Sequence, residues 1–520
     1  MRSFCLVILL VIPAIIIAKD GYPRNKDVDI IHYDFSLSLN DSTNMIEGQS
    51  AIIVKFLAAI DSISFDLSAE SKDGHGMIVT NVTISGKPVK WTHSNERLTL
   101  FSLEADNDTA EIRIFYHGIP ADGLIISKNK FGKRVFFSDH WPDRAHNYLP
   151  CIDHPYDKAS VSFTITAPDH YSIVANGLLM SETIPAAGLK CTKWQENVPL
   201  PVKVMAFGAA DFAVLDTAKV DGIPVSSWVF TENMKEGFYD YSVAVKPLGY
   251  YIWNIGDYPY GKLANVQSKT IYGGLENASA IFYAERSVTG KGRAEGLIAH
   301  EIAHQWFGDN VTENDWHHVW LSEGFATYLT SMYFEHTRGE EALKNDLDST
   351  RSRLIRYYRK NRKPVIDTTE TDLMNLLNMN TYQKGAWVLH MLRNDIGDDA
   401  FMKGLRLFYE RYSNSNVLTE DFKNVIEEVS GKQLDGFFHQ WLLTPGHPEL
   451  HFRVKGKNLI IEQRQHNLFD FPIEVKLISP GGEKIVRILV AERVTKYRSD
   501  RKISSIQPDP EVKLLFNDIK

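Results

Sequence analysis

His300 and His304 stand four positions apart in His300-Glu301-Ile302-Ala303-His304, and Glu323 follows nineteen residues after the second histidine. The two imidazoles can meet at one point only if residues 293–307 are helical, which places positions i and i+4 on one face. Glu323, in Trp320-Leu321-Ser322-Glu323-Gly324-Phe325, must then return on a second helix. Between them lies Gly308-Asp309-Asn310-Val311-Thr312, a run of turn formers that ends the first helix. A carboxylate near a helix start is also favoured by the helix dipole, so Glu323 alone would carry no chemistry. With the two histidines it completes three protein ligands around an open position, the donor set of a catalytic zinc site. Glu301 stands where it can reach a metal-bound water. The pattern implies a metal-dependent hydrolase.

A chain of 520 residues exceeds one ordinary core, and about three domains are expected. The formal charge of −8, with no long basic run, argues against a nucleic-acid partner. Arg2, an apolar run from Phe4 to Ile17, and Ala18 read as a signal peptide over residues 1–18. The run is short for a spanning helix of about 20 residues and is interrupted by Pro13. The expectation is export, secreted or periplasmic, with anchoring through residues 4–18 as the alternative if the segment is not cleaved. Beyond it only Cys151 and Cys191 remain, too few for a disulfide framework, and both are expected as buried free thiols. Asn40, Asn81, Asn107, Asn277 and Asn310 head N-x-S/T triplets, read as mostly accidental.

Alternating apolar and polar residues mark strands from Asp27 to about Ala218, as in Tyr33-Asp-Phe-Ser-Leu-Ser-Leu, Thr80-Asn-Val-Thr-Ile-Ser and Ser160-Val-Ser-Phe-Thr-Ile-Thr. From about Met234 the period becomes helical. Helices are expected over Tyr239–Ile255, Leu321–Phe334, Arg351–Lys360, Leu373–Leu377, Gly385–Ile396, Ala400–Tyr412 and Thr419–Val429, the last capped by Thr419. Strands resume after Thr444-Pro445-Gly446-His447-Pro448. The fold class is multidomain α+β. It comprises an N-terminal antiparallel β-domain (19–222), a mostly α catalytic domain (223–444) and a small C-terminal β-sandwich (445–520).

Tyr272-Gly273-Gly274-Leu275-Glu276-Asn277 lies upstream of the histidine pair. By itself it is a turn with a solvated glutamate. Joined to the histidines and Glu323, it resembles the G-x-M-E-N exopeptidase motif of the M1 family of zinc aminopeptidases, which are gluzincins. Tyr382-Gln383-Lys384-Gly385-Ala386 resembles that family's Y-x-K-G segment. Leu149-Pro150-Cys151-Ile152-Asp153-His154-Pro155 with Lys158-Ala159 resembles its P-C-x-D-x-P…K-A signature. Phe437-Phe438-His439-Gln440-Trp441 with Pro445-Gly446-His447-Pro448 resembles its F-F-x-Q-W…P-G-x-P junction.

The resemblance implies a thermolysin-like catalytic domain and one zinc ion on His300, His304 and Glu323. It implies Glu301 as general base, Tyr382 as hydrogen-bond donor to the oxyanion, and Glu276 on the substrate's α-amine. Gly273 and Gly274 would pair with substrate backbone, and Asn277 belongs to the same substrate-binding motif. The implied partners are peptides with a free N-terminus. Leu275 replaces the usual Met, and Ser322 the usual Asn, a change not expected to touch the ligand set. Many relatives carry a Q-x-Q-A segment in the first domain whose glutamines fall here on Asp139 and Trp141. Asp139 could bind the ammonium by charge or serve as a turn residue; Trp141 could offer a ring face or pack. The expectation is a short form without the large helical C-terminal domain of many relatives, its cleft more open than in capped ones unless another subunit covers it. The rivals, an epoxide hydrolase of one family branch and a silent binding protein keeping the fold, are disfavoured. The first branch carries a long helical tail, and the second would not need His300, Glu301, His304, Glu323, Glu276 and Tyr382 together.

Overall fold

The computed structural model describes residues 20–105 and 109–519; the expected signal segment and Asn107 lie outside them. In strand Val28–Ser38 the alternating Tyr33, Phe35 and Leu37 turn inward and are buried. That strand sits near the middle of an eight-stranded sheet, between Ile46–Phe56 and Ala159–Pro168. The pairings are antiparallel except one: Val28–Ser38 runs parallel to Ala159–Pro168, Tyr33 opposite Val161. The two strands are far apart in sequence, so no hairpin dictates their direction. A four-stranded sheet containing Arg134–Ser138 and Phe207–Ala210 and a three-stranded sheet complete the β-rich first part. Both cysteines are free; Cys151 is buried, but Cys191 is only half-buried, correcting that half of the expectation.

The hairpin Phe212–Val220 and Ile223–Phe230 joins a five-stranded sheet with Leu263–Ser268, Ala280–Ala284 and the short Gly274–Leu275. Gly274–Leu275 is its outermost strand, antiparallel to Ala280–Ala284. Helix Glu295–His304 packs against the Gly274–Leu275 strand of this sheet; Trp320–Arg338 packs on that helix and on Gly385–Ile396, which contacts Asp398–Tyr412 in turn. The helix expected over Arg351–Lys360 is Glu340–Tyr358 instead. It buries only Leu343, Leu347, Thr350 and Leu354, a stripe narrow enough to hide its first half in the sequence. Leu373–Leu376 is a single 3₁₀ turn. Thr419 does not cap its helix: Asp421 accepts from Leu418 N–H at 2.7 Å, while the Thr419 hydroxyl meets His318 Nδ1 and Trp320 Nε1, each at 2.8 Å.

C-terminal strands form a four-stranded and a three-stranded sheet, with Leu459, Ile461, Val475 and Val490 buried. No helix among the described residues is long and apolar enough to cross a membrane.

Two lysines of the β-rich part reach into the loop between the ligand helices. Lys158 Nζ donates to the carbonyls of Asn310 (2.6 Å) and Asp309 (3.1 Å) and to Thr312 Oγ1 (3.0 Å). Lys203 pairs with Glu313, both side chains at most 1% exposed. Such a pair offsets its own desolvation, but either partner alone is an uncompensated buried charge. Lys203→Met is expected to destabilise the protein by about 3–5 kcal/mol, with Lys203→Met/Glu313→Leu recovering most of the loss. Urea denaturation checks this; a double variant no more stable than the single one would refute it.

Candidate functional site

Helix Glu295–His304 places His300 and His304 one turn apart, their ring centroids 4.7 Å from each other. The loop held by Lys158 and Lys203 then delivers Glu323 in the first turn of Trp320–Arg338. The Nε2 atoms of the histidines lie 3.1 Å apart, and Glu323 Oε2 is 3.3 Å from the first and 3.2 Å from the second. A tetrahedral ion with bonds of about 2.0–2.1 Å separates its donor atoms by roughly 3.3 Å. The triad therefore fits a small divalent cation, and the two-nitrogen, one-carboxylate chemistry suits it. Among the described residues it is the cluster of His, Cys, Asp and Glu that could hold a metal.

His304 Nδ1 is 3.2 Å from the Phe307 carbonyl, which can only accept, so Nδ1 carries the proton and Nε2 keeps its lone pair for the ligand position. Ser322 Oγ also lies 3.0 Å from Nδ1. Ser322 thus does touch the ligand set, contrary to the sequence-based expectation.

Tyr382 lies on a π turn, Asn380–Lys384, closed by Lys384 N–H donating to the Met379 carbonyl. Its hydroxyl donates to Glu323 Oε1 at 2.7 Å, and its ring stacks at 6.0 Å on His300. Glycines bring this turn in: a Cβ on Gly324 would sit 3.0 Å from Gly385 Cα and 3.1 Å from the Thr381 carbonyl oxygen. Burial, reinforced by Glu323, holds the Tyr382 phenol well above its usual range, so it remains a neutral donor.

Glu301 is buried against the outermost strand; a Cβ on Gly274 would collide with its side chain. Burial, with Glu276 and Glu323 adding to it against His304, pushes its carboxyl well above the ordinary carboxylate range. Burial likewise lowers His300, against the pull of Glu323. A cation on the triad would draw Glu301 back towards its ionised form.

A cavity of about 230 Å³ opens over the triad, with Glu276, Glu301, Gly273, Gly274 and Tyr382 in its wall. Glu276 is 4% exposed, and its Oε1 has no hydrogen-bond partner among the described residues. Gln305 holds its backbone, donating to the Glu276 carbonyl at 2.8 Å and to Asp309 Oδ2 at 2.8 Å.

Two residues expected to meet the substrate lie outside the cavity wall. Asp139 is fully buried outside the cavity wall, ion-paired with Arg144 and accepting from Ile271 N–H at 3.1 Å. It fixes the segment leading into Tyr272-Gly273-Gly274. Asn277 is also absent from the wall; it is buried, and neither side-chain polar atom has a partner among the described residues. Trp141 is the member of the Asp139 loop that lines the cavity, with Tyr272, Leu297 and Leu377. Trp141 had a sequence signal, its offset from Pro150-Cys151, and Ser322 had one in its place before Glu323; Gln305 and Leu297 had none.

Residues 244–441 match the family model described as the peptidase family M1 domain, and residues 30–202 that of the peptidase M1 N-terminal domain. Aminopeptidase M1-C of Oryza sativa subsp. japonica is 29% identical over 337 residues, 62% of this chain and 38% of that protein. Leucyl aminopeptidase of Saccharolobus solfataricus is 25% identical over 467 residues, 81% of this chain and 56% of that protein. The matched part thus spans between 38% and 56% of these curated relatives. The crystal structure of Legionella pneumophila aminopeptidase A in complex with aspartic acid superposes with a TM-score of 0.83 at 18% identity. It covers 96% of this chain and 61% of that one, a likeness of fold.

Ser322→Ala is expected to weaken divalent-metal binding roughly tenfold by loosening His304, measured by competition with a metallochromic dye. Unchanged affinity would leave the Phe307 carbonyl as sole orienter.

Proposed function

The chain belongs to peptidase family M1, and from that premise we propose that it is a zinc aminopeptidase removing the N-terminal residue of peptides. The observation that carries this is Glu276: a buried carboxylate with an unpartnered oxygen, in the same small cavity as the His300–His304–Glu323 triad. A carboxylate so placed wants a cation, and a free α-ammonium supplies one. The outermost strand Gly274–Leu275 offers backbone groups to which an extended peptide can add in β fashion. With the amine fixed at Glu276, the first peptide bond is the one brought to Glu301 and Tyr382.

His300, His304 and Glu323 would hold the zinc, which supplies a Lewis acid for the scissile carbonyl and acidifies water. Glu301 takes a proton from the attacking water and returns it to the leaving amine. Tyr382 donates its O–H to the oxygen that becomes negative at the tetrahedral stage. In the resting protein that hydrogen bond goes to Glu323 Oε1, so the donor already stands beside the ligand set.

Aminoacyl anilides should be cleaved, cleavage should stop with a chelator and return with zinc, and Nα-acetylation should abolish it. Brisk cleavage of acetylated substrates would indicate an endopeptidase. Glu301→Ala should retain the metal and lose on the order of 10²–10⁴ in kcat. Tyr382→Phe should lower kcat far more than it raises KM, because its bond matters at the transition state; kinetics unchanged in either variant would remove that residue from the mechanism.

A further inference from the structure

An ammonium held at Glu276 falls in register with the scissile bond only if Glu276 keeps a fixed place relative to the metal ligands. Its carboxylate does little to hold it there, since Oε1 accepts no hydrogen bond among the described residues. Its backbone is held instead. Residues 276–279 connect the outermost strand Gly274–Leu275 to Ala280–Ala284. Ser279 lies in the left-handed region, φ 62°, and its N–H donates to Gln305 Oε1 at 2.8 Å. At the other end of the connection the Glu276 carbonyl accepts from Gln305 Nε2 at 2.8 Å. One carboxamide thus clasps both ends of the turn, and it belongs to the residue after His304.

That carboxamide can sit only one way round. Nε2 also donates to Asp309 Oδ2 at 2.8 Å. The Tyr258 hydroxyl lies 3.1 Å from Oε1 and shares its hydrogen with the Lys262 carbonyl. A flipped amide would set donor against donor at Ser279 and acceptor against acceptor at Glu276 and Asp309. Gln305 is fully buried, and its own N–H continues the ligand helix to the Ile302 carbonyl at 3.2 Å. The turn has other holds: Ala278 N–H donates to the Val204 carbonyl (3.1 Å) and Asn176 Nδ2 to the Ala278 carbonyl (2.6 Å). Both of these tie it to the β-rich part of the chain; Gln305 ties it to the ligand helix.

Resting on the aminopeptidase reading, we propose that Gln305 is a positioning residue that holds the amine anchor in register with the metal. A misplacement of about 1 Å arising away from the chemistry can cost about 10²-fold in rate, so such a link matters. His304 keeps its own orienters, the Phe307 carbonyl and Ser322, whatever stands at 305. Loss of the carboxamide therefore separates amine recognition from metal binding.

The experiment uses calorimetry on the zinc-loaded full chain with leucine hydroxamate and its des-amino counterpart, 4-methylpentanohydroxamate. The two share the metal-binding group and differ in the amine, and the first should bind the wild type more tightly. Gln305→Met has similar volume and loses every contact of the carboxamide. It should narrow the ratio of the two dissociation constants at least about tenfold, leaving the des-amino constant and the zinc affinity within about threefold of wild type. Gln305→Glu keeps the acceptor for Ser279 but loses the paired donors to Glu276 and Asp309. It should narrow the ratio likewise, and it decides the matter if Gln305→Met does not fold. An unchanged ratio in a folded variant overturns the proposal, as does equal weakening of both hydroxamates, the mark of a residue that only supports the fold. A wild type that binds the two equally would instead sink the aminopeptidase reading, and the positioning role with it.

Discussion

The pairing of Lys203 with Glu313, and Lys158 with the carbonyls beside it, fixes the loop on which the whole site depends. Both lysines come from the β-rich part of the chain, and both act on the segment joining the two ligand helices. They act together with the pairing of Thr312–Glu313 on Asn416–Val417 and the Asn310–Asn414 contact, which tether the same loop. They also answer an electrostatic need. Glu276, Glu301, Asp309, Glu313 and Glu323 are all buried in this neighbourhood, five carboxylates facing two lysines. Burial and mutual repulsion accordingly push Glu301 and Asp309 well above the ordinary range. A divalent cation on the triad and an ammonium at Glu276 would relieve that repulsion. The site is thus unbalanced in the way that favours the two cations its proposed chemistry requires.

Close backbone approaches then place the groups that act. Gly324 and Gly385 let the Tyr382 turn press against the start of Glu323's helix, while Gly274 leaves room for Glu301. All three are glycines of the motif segments themselves. A side chain on Gly274 would meet Glu301, one on Gly324 would meet Gly385 and the Thr381 carbonyl of the π turn, and one on Gly385 would meet Gly324 and Trp320.

What was legible in the sequence was short-range. The i, i+4 histidines, the turn formers after them and the return of Glu323 are consequences of helical period, and they stand in the structure as the spacing required. The three-part strand, helix and strand order was legible from period as well. What was not legible depends on contacts between segments far apart. Asp139 and Trp141 are two residues from each other, and nothing local tells which faces the cavity; Arg144 and the Ile271 amide decide it by claiming the carboxylate. Ser322 touches His304 because two helices cross there, and the parallel alignment of Val28–Ser38 with Ala159–Pro168 is set across the sheet. Thr419 looked like a cap because its position was right, but His318 and Trp320 hold its hydroxyl.

The same long-range logic separates cutting within a peptide from cutting at its end. The triad, Glu301 and Tyr382 are indifferent to where along a chain the scissile bond lies. On the proposed reading, direction enters through Glu276, which follows the short strand Gly274–Leu275 and is buried. An internal residue brought to that carboxylate would present a neutral amide, leaving the charge unpaired in a dry wall at a cost of about 1–3 kcal/mol or more. On the proposed reading, end selection rests on that one charge, carried next to a segment that Asp139, more than a hundred positions away, holds through the Ile271 amide.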